Sequence, residues 1–358
     1  MPRGAGRAHV FVLAERRNVS DHRKMGKRLL LKDIARLAGV SEMTASRALR
    51  GAPDVSEKTR RKVQDIAREA GYVPNRIAGA LASKSVNLVG VVVPSLSSFV
   101  FPEVLSGISQ TLTDSPLKPV IGLTGYDLQE EEEVIREMLS WRPSGLIIAG
   151  LEHSEAARTI LQAADCPVVE IMDTDGDPVA HCVGISHLEA GRAMAETIIG
   201  RGHRSIGFIG TKMPQDFRAQ KRLRGFLEGL GDQGLEMADK ELYSGSSSID
   251  TGRRLTAELL NRSPGLDCIY FSSDVMAVGA YMHCLAAGVR VPADLAIAGF
   301  NNLELLKGLP LELATTDAHR FEIGVRAAQI VLASPKGGTG AEPVTVKFQP
   351  TITVGQSL

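Results

Sequence analysis

At 358 residues, with 44% hydrophobic and 23% charged side chains, the chain has room for two or three domains with a real core, which excludes a disordered or fibrous protein. No stretch reaches the ~18 consecutive apolar residues of a membrane helix, so no membrane partner is expected. The net charge of zero hides an asymmetry: residues 1–85 carry 19 Lys/Arg against 8 Asp/Glu, leaving the remainder at −11. A basic head on an acidic body points to a polyanion partner. A solvated basic tail would carry part of the same charge, yet residues 26–85 alone still hold 13 against 6. Cys166, Cys182, Cys268 and Cys284 show neither a Cys-x-x-Cys pair nor zinc spacing, so reduced, buried thiols in a cytoplasmic protein are expected.

Residues 1–25 have no periodicity and no helix cap, and Met25 begins "MGKRLLLKDIA". They read as a disordered basic tail or a misassigned start. Three helices follow in residues 26–74. Lys32 to Leu37 puts Ile34, Leu37 and Ala38 on one face, and Gly39 supplies the left-handed C-cap. Ser41 caps a second helix running to Leu49. Ser56 caps a third, with Val63, Ile66 and Ala67 inward and Gly71 at its end. Two short helices joined by Ala-Gly-Val-Ser form a helix-turn-helix. The second exposes Glu42, Met43, Thr44, Ser46 and Arg47 where such helices meet base edges. Arg47 can fork onto guanine or grip phosphate, Thr44 and Ser46 suit either, and Met43 can touch a thymine methyl. Glu42 is unfavourable near phosphates unless it accepts from a cytosine amino group. A generic three-helix bundle with a polar face remains the bland alternative.

"LKDIARLAGVSEMTASRALRG…VSEKTRRKVQDIAREAGYVPNRIAGALAS" resembles the N-terminal signature of the lactose/purine repressor family of bacterial transcription regulators, and the likeness runs over residues 30 to 358. The resemblance implies that Ser41, Met43, Thr44, Ser46 and Arg47 lie in the major groove, with Ser56 and Thr59 on phosphates. Tyr72, Asn75, Arg76 and Ala78 complete the DNA-binding set with Leu81. Residues 75–86 would be a hinge helix and linker that orders only on DNA. Leu81 would be a minor-groove wedge, and small Ala78, Gly79, Ala80 and Ala82 would let two hinges approach. A helix of barely three turns, with only Ile77 and Leu81 to bury, cannot hold itself together. Its weakness makes DNA affinity depend on how the cores hold the two copies. A linker with incidental helicity is the plain alternative.

From residue 87 strands and helices alternate. "NLVGVVVP", "PVIGLTGY", "SGLIIAG", "CPVVEIMD" and "HCVGIS" are strand-like, with helical runs at Gln129–Trp141 and Ser154–Ala164. "SIGFIGT", a helix over Asp216–Gly231, "DCIYFSS", a helix over Asp274–Ala287 and "DLAIAGF" form a second series. Such alternation predicts two α/β lobes with parallel sheets, roughly 87–186 with 315–347 and 187–314 with 348–358. Ligands then belong at the carboxyl ends of strands, in the cleft between lobes. "RLRGFLEGL" and "SSDVMAVGAYMHCLAAGVRVPADLAIAGFNN" extend the resemblance, which implies a core like periplasmic sugar-binding proteins, with Asp173, Arg222, Ser273 and Asn301 at effector contacts. Ser273 and Asn301 stand where asparagine and aspartate are frequent in the family, and Ala318 where a polar contact often occurs, so the pocket chemistry is altered.

"VPSLSSFVFPEVLSGI", "MLSWRPSGLII" and "GRGHRSI" look most like gluconate-operon repressors, which implies gluconate or its phosphate as effector; a neutral sugar or nucleobase is the alternative. Arg222, with Arg218 or Lys221, can bind a carboxylate, and Phe99, Phe101 and Tyr126 can wall a carbon chain. Surface arginines and core aromatics would look the same. The chain carries no Gly-x-Gly-x-x-Gly after a strand, no Walker motif, no Gly-x-Ser-x-Gly and no His-Glu-x-x-His. No enzyme activity, metal or cofactor is therefore expected; turnover of a sugar or ATP would favour an enzyme with a fused head. One head covers too few bases for specificity, so a homodimer, or a tetramer, on a pseudo-palindromic operator is expected.

Overall fold

The computed structural model describes residues 29–74, 86–97, 99–211, 213–334 and 342–358. The expected tail and the hinge residues Asn75, Arg76, Ala78 and Leu81 lie outside them. The chain divides into two compact units, Met1–Ser83 and Lys84–Leu358.

The first unit holds α1 (Leu31–Ala38), α2 (Glu42–Leu49) and α3 (Glu57–Ala70). Its caps are local chemistry. Asp33 accepts from the Leu30 amide at 3.0 Å; Ser41 and Ser56 accept from the Thr44 and Thr59 amides at 3.1 and 3.3 Å. Gly39 and Gly71 end α1 and α3 at φ 66° and 67°, a region that favours glycine. Ile34 and Val63 fill a core otherwise made mostly of alanines, Ala35, Ala38, Ala45, Ala48 and Ala67, so these short helices pack closely.

In the second unit, β1 (Leu88–Val93), α4 (Val100–Leu112), β2 (Lys118–Leu123), α5 (Leu128–Ser140), β3 (Gly145–Ala149), α6 (Glu155–Gln162), β4 (Val168–Ile171) and β5 (His181–Ile185) come first. Val86 already belongs here, donating to the Arg142 carbonyl at 3.0 Å. Then follow α7 (His187–Gly200), β6 (Ile206–Thr211), α8 (Phe217–Gly231), β7 (Asp239–Tyr243), α9 (Ile249–Arg262), β8 (Cys268–Phe271), α10 (Asp274–Ala287) and β9 (Ala296–Ala298). After a 3₁₀ turn at Glu304–Gly308 come β10 (Thr315–Asp317), α11 (Arg320–Ala333), β11 (Thr345–Phe348) and β12 (Thr351–Thr353).

Two parallel sheets result, in the orders β11-β5-β4-β3-β1-β2 and β7-β6-β8-β9. Their central strands are buried on both faces, as helices on either side require. The short antiparallel pair β10-β12 lies where the chain passes between lobes. α11 packs its Ile323, Ala327 and Val331 into the first lobe's core, and α7 gives Met194, Ala195 and Ile198 to the second's. α7 and α8 touch backbone to backbone: a Cβ on Gly191 would lie 2.0 Å from the Arg222 carbonyl oxygen, and one on Gly225 2.1 Å from that of Leu188. That approach fixes where α8 delivers its arginines. No helix among the described residues is long and apolar enough to cross a membrane.

Candidate functional site

In the helical head, Ser41, Glu42, Met43, Arg47 and Ser56 are exposed and Thr44, Ser46, Thr59 and Tyr72 half-buried. Met43 is 65% exposed, which no packing role explains. The hydroxyls of Thr44 and Thr59 sit 2.9 Å from those of Ser41 and Ser56, so these four first of all build helix caps. Arg47 Nη1 donates to Asp54 at 2.8 Å. That carboxylate, unmarked in the sequence reading, occupies the guanidinium in the free head. Both partners are about half exposed, and an exposed pair contributes little stability, so it is easily exchanged for a base or phosphate.

The core has a cavity between its sheets, at the carboxyl ends of strands. Ser95 and Ser97 follow β1, Tyr126 follows β2, Met172 follows β4, Ser272 and Ser273 follow β8, and Phe300 and Asn301 follow β9. Phe99 and Phe101 line it from the start of α4, Thr211 from the end of β6, and Ser246 and Ser247 from the approach to α9. Asp216, Arg218 and Arg222 come from the first turns of α8. Seven expected effector residues, Phe99, Phe101, Tyr126, Arg218, Arg222, Ser273 and Asn301, thus share one cavity. Six non-glycine residues among those described have positive φ, and three of them, Tyr126 (69°), Met172 (76°) and Asn301 (110°), line it. Backbone of this kind costs energy and clusters at functional sites.

Asp173 is the exception. It is fully buried and absent from the lining. Its carboxylate accepts from Lys221 Nζ at 2.5 Å and from the Asp175 amide at 2.9 Å. Lys221 also pairs with Glu152 at 2.5 Å. The structure thus does not bring Asp173, expected at an effector contact, to the cavity with the other seven: a lysine one turn along α8 holds it. Burial pushes its acid up, against the lowering by Lys221.

The charges left on the wall are unequal. Asp216, the N-cap of α8, lies 3.9 Å from Arg218 Nε. Arg218 sits over the Phe101 ring at 5.6 Å and Arg222 over Phe300 at 3.9 Å. Arg222 is buried, donates to His187 Nδ1 at 3.0 Å and to the Ser272 carbonyl at 3.2 Å, and has no carboxylate partner among the described residues. Burial lowers its pKa, though an arginine remains charged. Burial, helped by Asp216, pushes the Tyr126 phenol up to about 12, so it stays neutral. The lining therefore carries two cations, one anion and a band of hydroxyls. Apart from Ser273, the serines are the part that residue chemistry did not point to; their signal is the runs "SLSS" and "SGSSS" beside strand ends.

Two family models match the chain. Residues 30–75 match bacterial regulatory proteins of the lacI family, and residues 87–349 match the periplasmic binding proteins and sugar binding domain of the LacI family. The chain is 41% identical to the HTH-type transcriptional regulator GntR of Pseudomonas aeruginosa, over 85% of this chain and 88% of that one. It is 34% identical to GntR of Escherichia coli, over 90% and 95%. A crystal structure of a LacI-family transcriptional regulator from Silicibacter pomeroyi superposes with TM-score 0.88 at 54% identity, covering 92% of this chain and 99% of that one. The lac repressor dimer bound to operator shares the fold, with TM-score 0.78 at 24% identity, over 92% and 99%. The chain is a transcriptional regulator that belongs to the lacI family of bacterial regulatory proteins.

Proposed function

We propose that this regulator is a cytoplasmic repressor that binds a pseudo-palindromic operator as a homodimer and is released by a small sugar acid, gluconate or its phosphate. The observation that carries the acid reading is Arg222, a buried guanidinium on the cavity wall without a carboxylate. An uncompensated buried charge is costly, and an anionic ligand relieves that cost. The hydroxyl band (Ser95, Ser97, Ser246, Ser247, Ser273) suits a polyhydroxy chain, and the phenylalanine faces suit its carbons. The same hydroxyls favour a second reading, a neutral sugar. Operator release titrated with gluconate, its phosphate ester and a neutral hexose separates the two: release by the hexose alone refutes the acid reading.

On DNA, α2 would enter the major groove with Met43 and Arg47 foremost, and Arg47 would leave Asp54. Arg47→Ala should weaken operator binding about 10- to 100-fold, the worth of one good base contact. Asp54→Ala should leave it equal or tighter. Fluorescence anisotropy on labelled operator reads both, and an Arg47→Ala affinity equal to wild type would remove Arg47 from the interface.

A further inference from the structure

We infer that His187 is a positioning residue for the ligand-binding guanidinium of Arg222, an inference that rests on the proposed acid site. The imidazole has two partners that can be satisfied only one way. Its Nε2 lies 2.8 Å from the Met172 carbonyl oxygen, which can only accept, so Nε2 carries the proton. Its Nδ1 lies 3.0 Å from Arg222 Nη1, which can only donate, so Nδ1 offers its lone pair. A doubly protonated ring would point N–H at N–H.

The surroundings enforce that state. The ring is buried beside Phe300, 5.9 Å between centroids, and Arg222 stacks on the same Phe300 at 3.9 Å. Arg222, with Arg218 and Lys221 beyond it, is the charge that faces the ring; burial first, then these cations, hold His187 well below the ordinary histidine range. The Asp175 carboxylate nearby is taken up by the Leu188 amide at 2.9 Å. A neutral acceptor orients the guanidinium without cancelling its charge, whereas a carboxylate at the same place would cancel it. Met172, which receives the other proton, is held at φ 76° at the end of β4. His187 thus ties the arginine on α8 to the first lobe.

The test uses the full-length protein and two variants. His187→Leu keeps bulk and removes the acceptor; His187→Gln restores an acceptor. Calorimetry with gluconate should show at least a tenfold loss for His187→Leu and recovery to within about threefold for His187→Gln, with melting temperatures of the two variants alike. A neutral hexose, where it binds at all, should bind both alike. Gluconate binding of His187→Leu equal to wild type overturns the inference, as does equal loss in both variants. Nitrogen-15 spectra of the histidine rings, assigned by difference with His187→Gln, need no ligand. They should show an Nε2–H tautomer that does not titrate between pH 5.5 and 8, and titration near the ordinary value of about 6.5 overturns the inference. Should wild type not bind gluconate, the acid reading falls, and the ring spectra still decide whether His187 holds Arg222.

Discussion

Arg222→Ala should give a protein that binds operator as wild type does and is no longer released by a sugar acid. A charge-assisted hydrogen bond is worth about 1.5–3 kcal/mol, so half-maximal release should need at least 10- to 100-fold more gluconate. Any neutral ligand should lose far less. The side chain is buried against Phe300 and bonded to His187 and the Ser272 carbonyl, so truncation to alanine also opens a void. Arg222→Met keeps most of that volume without the charge. Because a charge buried without a partner carries a desolvation cost that nothing repays, the Met variant should melt at or above the wild-type temperature. It should be as unresponsive as the Ala variant. Loss of stability together with loss of response in both variants would make Arg222 a structural residue; normal release by gluconate in either would remove it from the effector site.

What the sequence discloses about this molecule follows the range of the interactions involved. In the head, each boundary is decided within four residues. Ser41 and Ser56 cap helices whose third amides they hold, and Gly39 and Gly71 take up left-handed φ. The helix-turn-helix is therefore readable from the chain, and the first helix is only one residue longer at each end than its apolar periodicity suggests. In the core, the strands buried on both faces announce themselves as apolar runs such as "GLIIA" and "IGFIGT". The edge strand β7, "DKELY", is half polar and does not. Nor do β10 and β12, three residues each, which exist only because the chain crosses between lobes there.

The cavity divides in the same way. Arginines on the first turns of α8 and aromatics near strand ends are visible as residue types, and of these the family resemblance marks Arg222. Which carboxylate each cation meets is not visible. Asp173 and Lys221 are 48 residues apart, and Arg47 meets Asp54 across the end of a helix. Such pairings depend on where whole elements dock, for which the sequence alone holds no local signal. The positive φ of Tyr126, Met172 and Asn301 is equally hidden, since none is a glycine.

Raising the pH from 7 to 10 should destabilise the core through one histidine outside the effector cavity. His153 follows β3, and its side chain is wholly enclosed between Glu131 of α5, 2.6 Å from Nδ1, and Glu170 of β4, 3.3 Å from Nε2. Glu170 is itself fastened by the Val179 and Ala180 amides at 2.6 and 3.2 Å. Burial by itself would lower the imidazole, but hydrogen bonds to Glu131 and Glu170 outweigh it and raise the pKa to about 9. In the unfolded chain the same ring titrates near 6.5. The folded state therefore binds the proton more tightly. Its contribution is complete below pH 6.5, declines above it, and is gone once the pH passes about 9. A displacement of that size corresponds to about 3 kcal/mol, a large part of the margin of a typical domain. Urea unfolding followed at pH 6, 7.5, 9 and 10 should show this loss in wild type. His153→Gln should be less stable at pH 6, because two buried carboxylates then lack their cation, and it should show little of the decline toward pH 10. The difference between the two proteins isolates His153 from cysteines and lysines that titrate in the same range. A wild-type stability that is flat from pH 7 to 10, or a decline of equal size in His153→Gln, would mean that the imidazole between the two glutamates is neutral in the folded protein.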